Sequence, residues 1–348
     1  MKKNFNIDIK PILVTNPKNI FYIMKADFDG FWLLLYGKKI FTITSEMIKG
    51  QLEQYLKQNN IKNMEIFVIK ESFSDTVIDI CCKKNIKELI VDATDISYFL
   101  FKTLNDKFNK NKISVIYDNK IFAEKRIIKD SAEIRNIQNA CKIVSQVFEI
   151  IKNRTVAGMT ELDLHFEIEK EFAARHVVQS FKTIVASGEN SANPHHVSGT
   201  RKIRKNDIVL VDMGCIYKGY CSDLTRTFFI GNPKKEYEKI WDIVKLAHDT
   251  ALYNVKKDIK ARDIDRFARN IINQNGYDKN FIHTTGHGVG LDIHESPYIG
   301  SKSKDILKEG MVITIEPGIY IQNKFGVRIE DTVLVTKNGF EVLTTAKY

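Results

Sequence analysis

The segment Ile208-Val-Leu-Val-Asp-Met-Gly214 is the clearest strand signal in the second half of this chain. Its short apolar run, rich in β-branched residues, predicts a strand with Asp212 at the carboxyl end. Tyr217-Lys-Gly219 can reverse the chain into a second strand, which runs from Asp223 to Phe229. A hairpin of this kind would bring the carboxylates of Asp212 and Asp223 side by side.

The same arrangement recurs near the end of the chain. Met311 to Ile315 and Phe325 to Val335 are strand-like runs, and Asn323-Lys324 can supply a turn between them. One glutamate accompanies each run, Glu316 in the first case and Glu330 in the second. Two hairpins, each delivering two carboxylates, can therefore face one another across a shared site.

An imidazole completes this set of polar groups. It belongs to His287 in Gly286-His-Gly-Val-Gly290, where the glycines allow close backbone approach and unusual dihedral angles. Four carboxylates and one imidazole suit a pair of divalent cations, because carboxylates can bridge two metals. Two metals about 3.5–4 Å apart can activate water and polarise a carbonyl. The predicted ligands are Asp212, Asp223, His287, Glu316 and Glu330.

Each of these residues also has an ordinary structural interpretation. A single aspartate at a strand end is commonly a turn or cap residue, and a Gly-His-Gly is commonly a loop. However, Asp212 and Glu316 both end apolar runs, where an unpaired carboxylate would be costly to bury. The metal interpretation is therefore favoured over five unrelated structural roles.

These five segments, in this order and spacing, resemble the metal signature of the pita-bread metallopeptidases. That family includes methionine aminopeptidases, Xaa-Pro aminopeptidases and Xaa-Pro dipeptidases (prolidases), with metal-free creatinase as a relative. The resemblance runs through about residues 126–348, and a looser match covers most of the rest. It implies a creatinase-type α/β amino-terminal domain, residues 1–124, and an α+β pita-bread (creatinase/aminopeptidase-like) catalytic domain, residues 125–348. It also implies two divalent metal ions, with manganese expected and cobalt or zinc as alternatives, a peptide substrate and a homodimer.

Length and periodicity agree with two domains. A chain of 348 residues is long for one domain. In its first part strands and helices alternate, which is an α/β pattern; the predicted elements are strands at 31–35, 39–44, 66–69, 88–91 and 113–117, with a helix at Glu46–Gln58. In its second part helices precede hairpins; the helices are predicted at about 131–152, from Thr160 onward, at 235–256 and at 262–274.

Composition excludes several classes of protein. The net charge is +10, but basic residues are interleaved with acidic ones, so no nucleic-acid partner is expected. No run of about twenty apolar residues is present, so no membrane span is expected. The first ten residues lack the apolar core of an export signal, and the five cysteines lack disulfide spacing. A cytoplasmic protein with reduced thiols is expected.

The resemblance also assigns substrate contacts. His195, directly after Asn193-Pro194, matches a histidine that contacts the substrate near the scissile bond, although the adjacent His196 remains an alternative. His294 matches a histidine that hydrogen-bonds the carbonyl as it becomes tetrahedral. His283 matches a position lining the substrate pocket, and its alternative is a core histidine with a backbone partner.

Two further roles are predicted at the ligands themselves. Glu316, as ligand and neighbour of the attacking water, would take its proton and pass it to the leaving nitrogen. Arg328, two residues before Glu330, could hold ligand carboxylates in place. His195, His294 and Glu316 are thus the predicted catalytic residues, supported by His283 and Arg328.

The expected reaction is removal of the first residue from a peptide with proline in second position. A whole domain in front of the catalytic one disfavours a methionine aminopeptidase, and Glu316-Pro-Gly-Ile-Tyr320 resembles the proline-specific branch. Some prolidases carry an arginine where this chain has Tyr298, so an Xaa-Pro aminopeptidase is favoured over an Xaa-Pro dipeptidase. Thr44-Ser-Glu-Met47 also departs from the family's Thr-Asp-x-Arg-Tyr. A non-catalytic binding protein is the third hypothesis.

Overall fold

The computed structural model describes residues 10–348. The chain divides into two compact units, of which the first ends at Lys125 and the second runs from Arg126 to Tyr348. None of the helices within residues 10–348 combines the length and hydropathy that crossing a membrane requires. The expectation that no export signal opens the chain concerns mainly residues 1–9, which lie outside the described residues.

The first unit is an α/β domain with one mixed sheet. Its strands are β1 (Ile12–Val14), β2 (Phe31–Tyr36), β3 (Lys39–Thr44), β4 (Met64–Val68), β5 (Glu88–Asp92) and β6 (Ser114–Asp118). Its helices are α1 (Pro17–Met24), α2 (Glu46–Gln58), α3 (Phe73–Lys83) and α4 (Tyr98–Lys110), and α5 (Ala123–Ile127) contains the point of division. The sheet order is β4-β3-β2-β1-β5-β6, and only the β1–β2 and β2–β3 pairs are antiparallel.

The elements predicted for this unit are confirmed to within two residues, and helix α2 has the predicted bounds. Strand β1 was not predicted, although it lies between β2 and β5 in the middle of the sheet. Its three residues, Ile12-Leu-Val14, are all buried and too few to show an alternating pattern.

The second unit contains the four predicted helices. They are α6 (Ser131–Arg154), α7 (Glu161–Ala173), α8 (Lys235–Tyr253) and α9 (Ala261–Gln274). A capping box of Asp130 and Glu133 begins α6, and Thr160 with Asp163 forms another at α7. The apolar faces of α6 and α7 pack in one core with β-strands that include Val209 and Val211, whereas α8 and α9 pack in a second core.

The strands of the second unit are short. They are β7 (Val178–Gln179), β8 (Ile184–Ser187), β9 (Ile208–Met213), β10 (Cys215–Tyr217), β11 (Tyr220–Cys221), β12 (Leu224–Phe229), β13 (Gly286–Gly288), β14 (Glu295–Ile299), β15 (Val312–Ile315), β16 (Gly318–Ile321), β17 (Phe325–Arg328), β18 (Asp331–Thr336) and β19 (Gly339–Val342). Their sheets have the orders β12-β9-β8, β11-β10-β7, β14-β13-β15-β18-β19 and β16-β17.

The first predicted hairpin is confirmed. Strands β9 and β12 are antiparallel, and Thr225 lies opposite Asp212. Between them the chain makes the small β10–β11 ribbon, which turns at Lys218-Gly219 with positive φ at both residues. Asp223 directly precedes β12, so the two aspartates lie near one another at the same end of this hairpin.

The second predicted hairpin differs from expectation, because Phe325 to Val335 is not one strand. It breaks at Ile329-Glu330, where the Glu330 amide donates to the Thr225 carbonyl at 3.0 Å. Strand β17 pairs with β16, while β18 pairs with β15. The partner run breaks at Glu316-Pro317, and proline cannot donate to a ladder. Both glutamates therefore lie outside the ladders, at the break between two pairings.

The glycines beside His287 bring its strand close to both neighbours. A Cβ atom at Gly286 would lie 2.0 Å from the Thr314 carbonyl oxygen, and one at Gly288 would lie 2.4 Å from the Ser296 carbonyl oxygen. No side chain fits at those distances, so the close backbone approach predicted from the sequence is present.

Candidate metal centre and substrate cleft

A cleft of about 600 Å³ lies within the second unit. All five predicted metal ligands line it, and so do three of the predicted substrate contacts and the predicted supporting arginine. The cleft is also lined by residues that the sequence did not assign to the site. Three of them are apolar, Phe181, Ile184 and Pro194, and two are polar, Lys182 and Thr284.

Three of the candidate ligands form a tight group. Asp223, His287 and Glu330 are buried and each offers a ligand atom within 4.8 Å of the others. Glu316 joins this group through its Oε1 atom, which lies 3.4 Å from Nε2 of His287. Asp212 lines the same cleft and is held by Arg328. The structure therefore brings the predicted set together in one place.

The imidazole of His287 is oriented as a ligand would be. Its Nδ1 lies 3.1 Å from the Gly288 carbonyl oxygen, which assigns the proton to Nδ1. Burial lowers the pKa of His287 to about 4, so the ring is neutral. The lone pair of Nε2 then points toward the Asp223 and Glu316 carboxylates, at 3.5 and 3.4 Å. A cation bound between these acceptor atoms would satisfy all of them.

If all four carboxylates were ionised, they would carry more negative charge than the described protein neutralises. Burial and the neighbouring carboxylates raise the pKa of Asp223 and of Glu330 well above its usual value. Burial, with Asp212 beside it, raises the pKa of Glu316 to about 8 against the opposing effect of Arg328. Within the described chain, the buried Oδ1 of Asp212 has no hydrogen-bond partner. The donor set fits divalent cations, which take carboxylate and imidazole ligands.

Arg328 organises one side of this group. Its Nη2 donates to Asp212 at 2.5 Å, and its Nη1 donates to the Tyr320 hydroxyl at 2.8 Å. The Tyr320 hydroxyl lies 2.9 Å from Nε2 of His283, whose Nδ1 lies 2.8 Å from the Thr284 carbonyl oxygen. These contacts form a consistent chain, in which Arg328 donates to Tyr320, Tyr320 to His283, and His283 to the backbone.

Two threonines that sequence reasoning missed hold the glutamates. The Thr225 hydroxyl donates to Oε2 of Glu330 at 2.6 Å. The Thr314 hydroxyl lies 3.4 Å from Oε1 of Glu316 and accepts the His287 amide at 3.1 Å. Thr314 lies two residues before Glu316, as strand neighbours on one face do, and that spacing was the available signal. Thr225 comes from another hairpin, so no local pattern indicates it.

The structure places His195 and His196 differently. His195 is exposed and lines the cleft, and its backbone amide donates to Oδ1 of Asn193 at 3.1 Å. His196 points elsewhere, with Nε2 2.7 Å from Oε2 of the buried Glu161. Glu161 also accepts from the backbone amide and hydroxyl of Ser187. Glu161 therefore anchors the segment that carries both histidines, a role that sequence reasoning missed.

His294 lies on the cleft beside the candidate ligands. Its ring centroid is 4.4 Å from that of His287. The next residue, Glu295, is buried between Arg126 and Lys129, with the Lys129 ammonium at 3.3 Å, and it also accepts the Asp292 amide at 3.1 Å. These contacts fix the turn that presents His294.

A buried, carboxylate-rich group with one neutral imidazole, set in a cleft of this α+β domain, is the kind of site that metallopeptidases use. The chain belongs to metallopeptidase family M24, whose sequence model matches residues 135–337. The pita-bread fold and the metallo-exopeptidase class expected from the sequence are thereby confirmed.

The chain is similar over nearly its whole length to proline-specific members of this family. It is 35% identical over 346 residues to an Xaa-Pro dipeptidase of Pyrococcus horikoshii, a match that covers 99% of this chain and 94% of that protein. Its structure is similar to that of an Xaa-Pro dipeptidase from Bacillus anthracis, with a TM-score of 0.92, 33% identity, and coverage of 97% and 94%. It is also similar to an X-Pro aminopeptidase from Thermotoga maritima, with a TM-score of 0.88, 30% identity, and coverage of 97% and 96%.

Proposed function

We propose that this protein is an Xaa-Pro dipeptidase, which hydrolyses a dipeptide with carboxyl-terminal proline into its two amino acids. The supporting observation is the similarity to Xaa-Pro dipeptidases over 93% or more of their length and nearly all of this chain. The sequence favoured the aminopeptidase and ranked the dipeptidase second. The comparisons support the dipeptidase better.

An Xaa-Pro aminopeptidase is the second candidate, and Tyr298 is the observation that favours it. This residue lines the cleft and is half exposed, but its phenol carries no positive charge to attract a substrate carboxylate. The similarity to an X-Pro aminopeptidase points the same way. The non-catalytic hypothesis is not supported, since the whole predicted ligand set meets in one cleft.

We also propose that Asp212, Asp223, His287, Glu316 and Glu330 hold two divalent ions, with manganese expected and cobalt or zinc as alternatives. Bound there, such ions supply a Lewis acid and lower the pKa of water. The carboxylates bring the negative charge, and Arg328 with Thr225 and Thr314 fixes their orientation.

The chain's own residues account for substrate orientation and proton transfer. The Glu316 carboxylate faces the cleft, where it can accept the proton of the attacking water and return it to the leaving nitrogen. His294 and His195 face the same space, and a neutral imidazole can donate to the oxygen on which charge develops. His283 already donates to a backbone carbonyl, so it shapes the pocket rather than moving a proton.

A cytoplasmic homodimer without nucleic-acid or membrane partners completes the proposal. All five cysteines are free, and four of them are buried, which suits a reducing compartment. Analytical ultracentrifugation of the purified protein tests the dimer directly, because a monomer at micromolar concentration would contradict it.

The experiment that separates the two candidate functions compares substrates of different length. Metal-loaded protein is assayed with Gly-Pro and with Gly-Pro-Ala, each with manganese, cobalt and zinc, and Gly-Ala serves as the control without proline. A dipeptidase cleaves Gly-Pro with the higher kcat/KM. A preference for Gly-Pro-Ala would favour the aminopeptidase, and cleavage of neither peptide with any of the metals would overturn the proposal.

A further inference from the structure

The inference concerns how the cleft neutralises the substrate's free carboxylate, and it rests on the proposed dipeptidase function. In an Xaa-Pro dipeptide the terminal carboxylate is joined to the scissile nitrogen through a single Cα atom, so it must enter the cleft with the bond that is cut. An unpaired charge in such a place is costly. Because the proposed metal ions would act on the scissile carbonyl, a dipeptidase needs a further cation within reach of this carboxylate.

Arg328 does not meet this need. Its guanidinium is buried, and its donors are directed to Asp212, Tyr320 and the Thr225 hydroxyl, the last at 3.2 Å. A substrate carboxylate could reach it only by displacing a contact that orients a candidate metal ligand. Among the described residues lining the cleft, the other lysine or arginine is Lys182.

The ammonium of Lys182 is available for a ligand. The residue is exposed, and no hydrogen bond or ion pair within the described chain involves its side chain. The chain on either side of Lys182 is held by backbone hydrogen bonds. The Ser180 amide donates to the Gly214 carbonyl at 3.0 Å, and the Val185 amide donates to the Ser198 hydroxyl at 2.9 Å. A free cation thus stands on an ordered segment at the wall of the cleft.

Lys182 lies two residues before strand β8, on the wall of the cleft that the candidate ligands also line. Ile184, two residues later, lies opposite Asp212 in the β8–β9 pair, and both Lys182 and Ile184 line the cleft. Cα atoms two residues apart are separated by at most roughly 7 Å. The flexible four-carbon stem of lysine spans part of that separation. The ammonium can therefore reach a carboxylate held close to the candidate ligands.

We propose that Lys182 binds the carboxyl-terminal carboxylate of the Xaa-Pro dipeptide, and so supplies the charge that Tyr298 does not. It is a specificity-determining residue for substrates that end directly after proline. The ligand class is a dipeptide carboxylate, and the interaction is a charge-assisted hydrogen bond from the Nζ atom.

The assignment is tested by removing the positive charge of Lys182 from the protein and the negative charge of the terminal carboxylate from the substrate. Gly-Pro and its carboxyl-terminal amide are assayed with wild-type protein and with Lys182→Gln. We expect the substitution to lower kcat/KM for Gly-Pro roughly ten- to hundredfold, mainly through a higher KM. Hydrolysis of Gly-Pro amide should change by less than about threefold, because it has no carboxylate to lose.

Matched variants exclude a general electrostatic effect. Lys302→Gln and Lys304→Gln remove exposed lysines that do not line the cleft, and they should leave both substrates unaffected. The double variant Lys182→Gln/Tyr298→Arg should recover much of the lost Gly-Pro activity, since it places a cation at another position on the same cleft. The melting temperature should stay constant, because within residues 10–348 the Lys182 side chain makes no hydrogen bond or ion pair that the substitution would remove.

The outcomes distinguish this inference from the proposed function. If wild-type protein cleaves Gly-Pro and Lys182→Gln cleaves it equally well, the assignment of Lys182 is wrong and the dipeptidase stands. Equal losses on Gly-Pro and its amide would also overturn the assignment, because they would show a role unrelated to the carboxylate. If wild-type protein cleaves no Xaa-Pro dipeptide, both proposals fail.

Discussion

The Nη2 atom of Arg328 lies 2.5 Å from Oδ2 of Asp212, while Nη1 of the same guanidinium donates to the Tyr320 hydroxyl at 2.8 Å. One planar group thus serves a candidate metal ligand and the wall of the substrate pocket together. Although burial opposes the charge, the nearby Tyr320, Asp212 and Glu316 hold the pKa of Arg328 well above its usual value. The guanidinium therefore remains charged.

This geometry predicts that lysine cannot replace Arg328. Arg328→Lys keeps the charge but loses the rigid fork that reaches two partners at once. We expect kcat/KM to fall roughly tenfold to hundredfold, together with weaker metal binding, as measured by steady-state kinetics and metal titration. Arg204→Lys, at an exposed arginine, is the matched control. If kcat/KM of Arg328→Lys stayed within a factor of about three of the wild-type value, the two-pronged contact of the guanidinium would be unimportant.

The sequence indicated the candidate ligands because each belongs to a distinctive local segment. Asp212 and Glu316 end apolar runs, and glycines flank His287. The residues that hold these ligands and the neighbouring histidines from distant parts of the chain had no such local signal. Thr225 holds Glu330 from another hairpin, and Glu161 is a helix residue whose carboxylate is used 35 positions away by His196. Such contacts depend on which surfaces meet, and an amphipathic pattern does not contain that information.

The broken strand shows a second limit of sequence patterns. The run from Phe325 to Val335 was predicted as one strand, and every residue in it is buried. The break at Ile329-Glu330 arises because the chain changes pairing partner there, from β16 to β15. The hydrophobicity of a residue indicates that it is buried but not which strand it pairs with, so the sequence does not reveal the change of partner. The sequence also gives no signal for the role proposed for Lys182, because an isolated lysine before a strand is ordinarily only solvated.

Metal dependence is the next prediction, and it rests on the surplus of carboxylates. We expect chelation to abolish activity and divalent metal to restore it. Asp223→Asn should reduce both metal content and kcat to near background, because it removes one charge from the tightest group of ligand atoms. Metal content is measured by mass spectrometry of the dialysed protein. Asp242→Asn, at an exposed helix residue, should behave like wild type, whereas full activity of metal-stripped Asp223→Asn would contradict the hypothesis.

The adjacent histidines should separate into a catalytic and a structural residue. His195→Ala removes an imidazole that faces the cleft, so we expect kcat to fall on the order of a hundredfold without a change in melting temperature or metal content.

His196→Ala is the matched comparison. It leaves the buried carboxylate of Glu161 with one donor fewer, which should lower the free energy of unfolding by about 1–3 kcal/mol and affect kcat less. Kinetics and thermal unfolding of the same preparations measure both effects. A larger loss of kcat in His196→Ala would exchange the two assignments.

The last prediction concerns His283 and the dependence of stability on pH. Burial, reinforced by the positive charge of Arg328, lowers the pKa of His283 to about 3. In the unfolded chain a histidine titrates near pH 6.5. Because the folded pKa is the lower one, the unfolded state binds more protons between these values, and stability should be lost as pH falls below about 6.5. The ring is partly exposed, so we expect a loss on the order of 1 kcal/mol between pH 7.5 and pH 5.

His283→Gln isolates this contribution, because glutamine does not titrate and other groups change equally in both proteins. Denaturant unfolding of metal-free wild type and variant is compared at pH 7.5 and pH 5, so that metal release does not contribute. Wild type should lose more stability on acidification than His283→Gln. This difference is expected even if the variant is less stable at both pH values, since the substitution alters the 2.9 Å contact between His283 and the Tyr320 hydroxyl. Equal losses would show that His283 takes up a proton in the folded state, and that the chain from Arg328 through Tyr320 does not hold it neutral.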